Sequence, residues 1–347
     1  MDRLGLGLIG CGAIARSAHL PAMATLAGRV SLRAAADIDA QAATQAAAPW
    51  GAVATTDWRA VLDRSDIGAV VITTPEYLHC EQVSAAAAAG KHVLCEKPLA
   101  RSLAEADAMI DACARAGVRF LVGHSRRYTR RYQQIRAALD RGEIGRLRLI
   151  RENERRPRAL DQLWWSPRHW TGDPRVSGGA PLMNAIHEAD LLRWFTGAAP
   201  REVRAELAVT IPENTAGVVD FLSFTVTFDD GAIGSAEVLN CAPPGYPAFH
   251  QMELYGTEGA IRARDHELIG LTRFAAEGAD FPGTYDMLLH NKPAYVRELT
   301  ELIEAIREDR PVRMPPREAR AALELTLAAV ASARTGRTVR LGDGAAP

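Results

Sequence analysis

Between an apolar run at residues 4–9 and an amphipathic stretch at 13–26 lies Gly10-Cys11-Gly12-Ala13-Ile14-Ala15. This G-x-G-x-x-A arrangement at a strand-to-helix turn constrains the fold more than any other feature. The first glycine permits a tight turn and the second lets the backbone approach a ligand closely. The small last residue lets helix and strand pack together. N–H groups left open at the helix start favour an anion such as a pyrophosphate. A second strand-like run, 30–36, ends in Asp37, about 20 residues beyond the motif, where an acid that accepts hydrogen bonds from a ribose belongs. The prediction is a dinucleotide site built from Gly10, Gly12, Ala13, Ile14, Asp37 and Ile38. A carboxylate accepts from a 2′-hydroxyl and repels a 2′-phosphate, and no arginine follows Asp37, so NAD is expected in preference to NADP.

The alternation continues through residue 123. Apolar runs at 69–73, 92–95 and 118–122 separate one helical stretch that ends at Ala89 from another at 103–116. Unbroken apolar strands suit a parallel sheet covered on both faces. After Gly123 the rhythm changes. A basic helix is predicted at about 129–141, a loop over 151–179 and a helix at 181–195. Period-two alternation then marks strands: Leu222, Phe224, Val226 and Phe228 share one face, and Ser223, Thr225 and Thr227 the other. Similar runs at 232–239, 250–255 and 260–264 are separated by the turn signals Asp230-Gly231 and Glu258-Gly259. Helices are predicted at 295–308 and 317–333. The fold class is α/β. A Rossmann doubly wound parallel sheet spans 1–123, and an α+β domain with a mostly antiparallel sheet spans 124–347.

The 347 residues carry 41 basic and 42 acidic side chains for a net charge of -1, so no general attraction to nucleic acid or acidic membrane is expected. No apolar run reaches the ~20 residues of a membrane span, and no signal-peptide pattern is read. The 5 cysteines are scattered without a C-x-x-C pair. That pattern argues against a disulfide framework or a zinc site and for a reducing cytoplasm. Without a visible ligand cluster, no metal is expected. Lysine occurs only at positions 91, 97 and 292, which singles out Lys97.

Three further segments carry a family signature: Thr73-Thr74-Pro75-Glu76-Tyr77-Leu78-His79, Glu96-Lys97-Pro98, and Gly178-Gly179 followed by His187, Asp190, Leu191 and Leu192. They resemble the T-P-x-x-x-H, E-K-P and G-G-x…H-x-x-D-L-L motifs of the Gfo/Idh/MocA oxidoreductases. Ser332-Ala333-Arg334-Thr335-Gly336 resembles that family's ending, so the likeness spans essentially the whole chain. The resemblance implies a large open sheet in the second domain, for substrate binding and oligomerisation. One face forms a dimer interface in the family, so a homodimer or homotetramer is expected. It also implies a cis Lys97–Pro98 bond. The implied reaction is hydride transfer between NAD and a hydroxyl carbon of a sugar, inositol, sugar acid or related cyclic diol. A redox-neutral glycosidase or epimerase and a non-catalytic NAD-binding regulator are the alternatives on the same fold.

By the same resemblance Thr73, Thr74, Pro75, His79, Glu96, Lys97 and Ser125 are cofactor contacts, and Trp170 lines the nicotinamide pocket. Lys97 and His187 are carried over as the catalytic pair. An imidazole titrates near neutral pH and suits the base, and an ammonium stabilises a developing alkoxide. Lys97, Arg127, Trp170, Asn184 and His187 are assigned to substrate binding. Asp190, three residues after His187, shares its helical face. It orients the imidazole, binds a substrate hydroxyl, or is a helix-surface or interface carboxylate. The chain departs from the family pattern in two places. Met183 stands where many members carry Asp, and Asn184 is expected to take a polar role in catalysis; Trp170-Thr171 replaces a Trp-Arg pair. Arg126, Arg127, Arg130, Arg131, Arg155, Arg156 and Arg158 read as a clamp for an anionic substrate or as solvated surface. The second reading is favoured, with one or two arginines expected in the pocket.

Overall fold

The structure is a computed structural model that describes residues 3–157, 180–210, 219–242, 249–264, 267–273, 279–280 and 292–342. It divides into two compact units. In the first, the sheet among the described residues comprises β1 (Leu4–Ile9), β2 (Val30–Ala36), β3 (Val53–Thr55), β4 (Ala69–Ile72), β5 (His92–Glu96) and β6 (Phe120–Gly123). The order is β3-β2-β1-β4-β5-β6, and every pairing is parallel. Leu6, Leu8, Val70, Val71, Val93 and Leu94 are all buried, as expected of strands covered on both faces. The order reverses between β1 and β4, so the loops after these strands part and open a crevice at their carboxyl ends.

Connecting helices are α1 (Leu20–Thr25), α2 (Ala40–Ala47), α3 (Arg59–Leu62), α4 (His79–Ala88) and α5 (Leu103–Ala116). The amphipathic stretch after the glycine turn is not uniformly α-helical. A π-helical stretch, Ala15–His19, precedes α1, and the Leu20 N–H donates to Ala15 O. Pro21, lacking an N–H, cannot take up the ordinary i to i−4 pattern there, which accounts for the widened turn. Helix α5 is bounded as its sequence dictates. Ser102 accepts from the Glu105 N–H at 3.2 Å, the Glu105 carboxylate accepts from the Arg101 N–H at 3.0 Å, and Gly117 closes the helix at φ 68.

The second unit contains α6 (Arg130–Asp140), α7 (Ala180–Thr196) and a sheet. Among the described residues its strands are β7 (Leu147–Pro157), β8 (Pro200–Ala208), β9 (Phe221–Phe228), β10 (Ile233–Ala242), β11 (Phe249–Gly256), β12 (Gly259–Arg264), β13 (Glu267–Arg273), β14 (Ala279–Asp280) and β15 (Val339–Arg340). The order is β14-β13-β12-β11-β7-β10-β9-β8-β15, antiparallel throughout except where β7 meets β10. The predicted alternation holds in β9: Leu222, Phe224, Val226 and Phe228 join Ala185, Ala189, Leu192 and Phe195 of α7 in one core. Truncating Phe228 to alanine would cost ~3–5 kcal/mol, because its whole ring lies in that core.

One expectation needs correction. The segment expected as a loop from residue 151 begins as strand, since β7 runs through Pro157 and sits between β11 and β10. Beyond Ile150 its buried face carries Glu152 and Glu154, so no hydrophobic alternation announced it. The remainder of that segment, 158–179, lies outside the described residues. The compact units divide the chain after Tyr128. The first unit extends through Tyr128 and takes in a later segment, ending at Arg320, that contains α8 (Lys292–Arg307). Leu299, Leu302 and Ile303 give α8 an apolar face, but such a face does not say which core it will join. Here Arg297 Nε donates to Tyr128 O at 2.5 Å and Tyr295 stands edge-on to His19. The last helix is α9 (Pro316–Thr335). Among the described residues no helix is long and apolar enough to cross a membrane.

Candidate active site

Gly10 adopts φ +91, and a Cβ there would lie 2.8 Å from the backbone of Thr73 and Thr74. The turn after β1 therefore packs directly on the turn after β4, and Thr73 Oγ1 donates to Gly10 O at 2.6 Å. Gly12 is different: a Cβ there would meet nothing within 4 Å. Its requirement is not imposed by the protein's own packing, and the open space above it suits a pyrophosphate. The helix that follows has no side-chain cap, so its first-turn N–H groups face that space uncommitted to a side chain. Ala15 is fully buried beneath. Asp37 Oδ2 accepts from the Cys11 N–H at 2.6 Å and Oδ1 from the Asp39 N–H at 2.9 Å. Each carboxylate oxygen retains lone-pair capacity for a ribose diol. Ile38 beside it is 96% exposed, an apolar surface left open. Burial and the neighbouring Asp37 push the Cys11 thiol up to about 12, so it is an inert packing group.

At the carboxyl end of β5, the Lys97–Pro98 peptide is cis. Lys97 is half-buried, and its N–H donates to Glu96 Oε2 at 3.1 Å. Glu96 Oε1 lies 2.8 Å from His19 Nε2. Burial alone would raise the Glu96 carboxyl. The His19 bond, the His19 and Lys97 charges and the Lys97 N–H overcome it and hold the group below the usual carboxylate range. His79 is also buried. Its Nε2 lies 2.9 Å from Thr74 O and its Nδ1 3.0 Å from Pro98 O, joining the turn after β4 to the turn after β5. Burial lowers the His79 pKa despite the backbone carbonyls around it. Pro75 leads into the short turn Glu76–Leu78 that opens α4. Ser125, in the turn Ser125–Tyr128 after β6, is hydrogen-bonded to the Tyr295 side chain.

The sequence offered no motif for the groups that α8 brings to this end of the sheet. Tyr295 packs 5.1 Å from His19, and Glu298 is fully buried with neither carboxylate oxygen hydrogen-bonded among the described residues. Burial, with the Glu96 charge nearby, pushes Glu298 well above its ordinary value, which favours its neutral form.

In the second unit Asn184, His187 and Asp190 follow one another at three-residue spacing along α7, and all three are buried. Asp190 is 1% exposed, which removes the reading of it as a helix-surface carboxylate. Glu188, Glu152 and His250 form a cluster the sequence did not flag, with ligand-type atoms within 4.8 Å of one another. Arg131 Nη2 lies 2.9 Å from His250 Nδ1, and His250 Nε2 lies 2.7 Å from Glu152 Oε1. A guanidinium can only donate, so Nδ1 accepts and Nε2 carries the proton toward Glu152. A permanently charged arginine on one ring nitrogen and a carboxylate on the other mark an ion-pair network rather than a metal seat.

The described arginines of the group have separate partners. Arg127, expected at the substrate, lies 3.7 Å from Glu318 in the first unit; Arg131 is bound to His250; and Arg155 pairs with Glu237 at 2.5 Å. Arg130 is exposed. Trp170, the glycines at 178 and 179, and the side chains of Arg156 and Arg158 lie outside the described residues.

Comparison with known proteins agrees with this geometry. A family model described as "Oxidoreductase family, NAD-binding Rossmann fold" matches residues 4–124, and one described as "GFO/IDH/MocA C-terminal domain" matches residues 132–262. The chain is 30% identical over 290 residues to a myo-inositol 2-dehydrogenase of Thermotoga maritima, covering 82% of each protein. It is 28% identical to an inositol 2-dehydrogenase of Rhizobium meliloti, covering 96% of this chain and 98% of that one. Among solved structures, levoglucosan dehydrogenase in complex with NADH and levoglucosan superimposes with a TM-score of 0.88 at 26% identity, over 99% of this chain and 100% of that one.

Proposed function

This chain belongs to the Gfo/Idh/MocA oxidoreductase family, and on that premise we propose that it is an NAD-dependent dehydrogenase acting on a hydroxyl-bearing carbon of a sugar, inositol or related cyclic polyol. The observation that carries the reading is the conjunction at one sheet end of the open cradle over Gly12, the Asp37 carboxylate and the cis-linked Lys97. NAD, when bound, supplies the hydride acceptor. The Gly12 turn gives the pyrophosphate room and backbone N–H groups, and Asp37 accepts from the ribose hydroxyls. Lys97 holds an ammonium toward the reacting oxygen and stabilises the negative charge that grows there. His187 takes the hydroxyl proton, while Asn184 and Asp190, buried on the same helix, orient the imidazole or the substrate. The names of the relatives, inositol and levoglucosan dehydrogenases, support the substrate class.

A screen of inositols, sugars, sugar acids, anhydrosugars and cis-dihydrodiols with NAD tests this reading. Accumulation of NADH with at least one of them is expected. Product formed without NADH would indicate a redox-neutral enzyme, and cofactor binding with no product would indicate a regulator.

The same reading includes a second copy of the chain as partner. The sheet face bearing Ser223, Thr227, Glu237 and Gln251 is half-buried, with Ile233 exposed on it, and suits contact between copies. It also includes the reducing cytoplasm as compartment, supported by Cys11, Cys80, Cys95 and Cys113 as free thiols.

A further inference from the structure

The turn that carries Lys97 leaves the sheet directly after β5. The ladder with β6 ends at Glu96 opposite Gly123, and Pro98, next after Lys97, has no N–H to offer. His79 holds this turn at its far end, with Nδ1 3.0 Å from Pro98 O and 3.3 Å from Leu99 O. His19 reaches its near end through Glu96. His19 Nε2 lies 2.8 Å from Glu96 Oε1, and Glu96 Oε2 accepts from the Lys97 N–H at 3.1 Å. The Glu96 carboxyl is held below its ordinary range, and an ionised carboxylate can only accept, so His19 supplies the proton. One carboxylate thus joins the His19 ring to the backbone of the lysine. His19 is 1% and Glu96 5% exposed, so water does not compete for these bonds. His19 is itself fixed. It closes the π-helical stretch Ala15–His19 that follows the glycine turn, and the Tyr295 ring on α8 stands edge-on to it at 5.1 Å. Apolar side chains of similar size would fill this space without the cost of burying a carboxylate. What the bond secures instead is the place of the residue after Glu96.

We infer that His19 is a positioning residue for the reaction: by fixing the Glu96 carboxylate it holds the Lys97 backbone, and with it the root of the lysine side chain, at the end of β5. The inference rests on the role given to Lys97 above. His19 acts through Glu96 and touches no reacting atom. The helical segment that starts at the Gly12 turn therefore serves both halves of the site, with the open cradle at its head and the brace for Lys97 at His19.

Two readouts test it, and the first needs no substrate. Brief acetylation of the native protein and of His19→Leu, followed by mass spectrometry of the peptides, gives the labelling rate of Lys97. Lys91, whose ammonium donates to Arg64 O and Ile67 O, is the internal reference. The Lys97 rate relative to Lys91 should rise about twofold or more in His19→Leu, as local opening frees the turn. His19→Gln, whose amide can still donate to Glu96, should stay nearer the native ratio. The second readout is a cycle of turnover measurements. His19→Leu should lower kcat roughly 10- to 100-fold, as a small displacement of a catalytic group does, with NADH affinity unchanged. It should cost little more in the Lys97→Ala background, and His19→Gln should regain most of the loss. An unchanged labelling ratio or an unchanged kcat in His19→Leu overturns the inference, as do losses from His19→Leu and Lys97→Ala that multiply. A fall in NADH affinity large enough to account for the lost turnover also overturns it, because His19 then serves the cofactor cradle alone. Should His19→Leu not fold, His19→Asn takes its place in both readouts, since its amide is too short to reach Glu96. Lys97→Ala separates the two readings: full turnover in that variant defeats the role given to Lys97, whereas a crippled Lys97→Ala beside an undiminished His19→Leu defeats only the inference.

Discussion

The backbone N–H of Cys11 donates to Asp37 Oδ2 over 2.6 Å, so the carboxylate at the end of β2 also fastens the glycine turn after β1. Asp37→Ala removes a ligand for the ribose and a brace for the pyrophosphate cradle together. Charge-assisted hydrogen bonds contribute ~1.5–3 kcal/mol each, so NADH affinity should fall roughly 10- to 100-fold. Asp37→Asn, which keeps an acceptor oxygen but no charge, should lose less and narrow the preference for NAD over NADP. Fluorescence titration with NADH and NADPH measures both; unchanged NADH affinity in Asp37→Ala would refute the assignment.

Glu96 depends on His19. A carboxylate held below its ordinary range stabilises the fold at neutral pH, and that contribution is lost as pH falls through the folded-state value. His19→Ala removes the bond at 2.8 Å and leaves Glu96 buried, at a cost of ~1–3 kcal/mol. Without His19 burial raises the Glu96 carboxyl, so its acid-linked loss of stability should shrink and the melting-temperature gap between native and variant should narrow as pH falls through the carboxylate range. Melting temperature followed against pH tests this.

Glu298 has the opposite sign. Its folded-state value is raised, so its neutral form favours the fold below the ordinary carboxylate range, and that advantage is lost as pH rises toward the raised value. Glu298→Gln keeps the shape of the neutral acid and cannot ionise. Its melting temperature relative to the native protein should therefore increase as pH rises from the ordinary carboxylate range toward the raised value. A difference that stays flat with pH would show that Glu298 is ionised in the fold.

The Arg131, His250 and Glu152 network braces β7 and β11. Glu152→Leu alone strands a buried guanidinium and should destabilise by ~3–5 kcal/mol. Replacing Arg131, His250 and Glu152 together by apolar residues should recover part of that loss, because the guanidinium then leaves with its partners while the Glu188 carboxyl stays. Chemical denaturation of the single and triple variants measures the difference.

The first unit was largely legible in the sequence because its strands are apolar throughout and its turns use residues with narrow conformational roles. Gly10 at positive φ and the cis bond at Pro98 each occur where motif or resemblance put them. The alternation in β9 was legible for the same reason: one face is buried and the other is not. β7 was not, because Glu152 and Glu154 occupy its buried face and their partners come from other strands and helices. The surroundings of Glu96 were legible only in part. His19 lies 77 residues away and Tyr295 on a helix that rejoins the first unit from far along the chain. Local periodicity carries no record of such long-range pairings. The burial of Asp190 and the scattering of the arginines among Glu318, His250 and Glu237 likewise follow from tertiary packing alone.

The central claim is hydride transfer to NAD at a carbinol carbon, with Lys97 assisting. The most direct test is to incubate the protein with NAD and a cyclic polyol deuterated at its carbinol carbons, drawn from the substrates found in the screen, and to weigh the reduced nicotinamide by mass spectrometry. One deuterium per reduced ring is predicted for the native protein. For Lys97→Ala the transfer rate should fall by roughly two orders of magnitude or more, as on loss of an electrostatic stabiliser, with NADH affinity little changed. Reduced cofactor free of deuterium, or undiminished transfer in Lys97→Ala, would contradict the account.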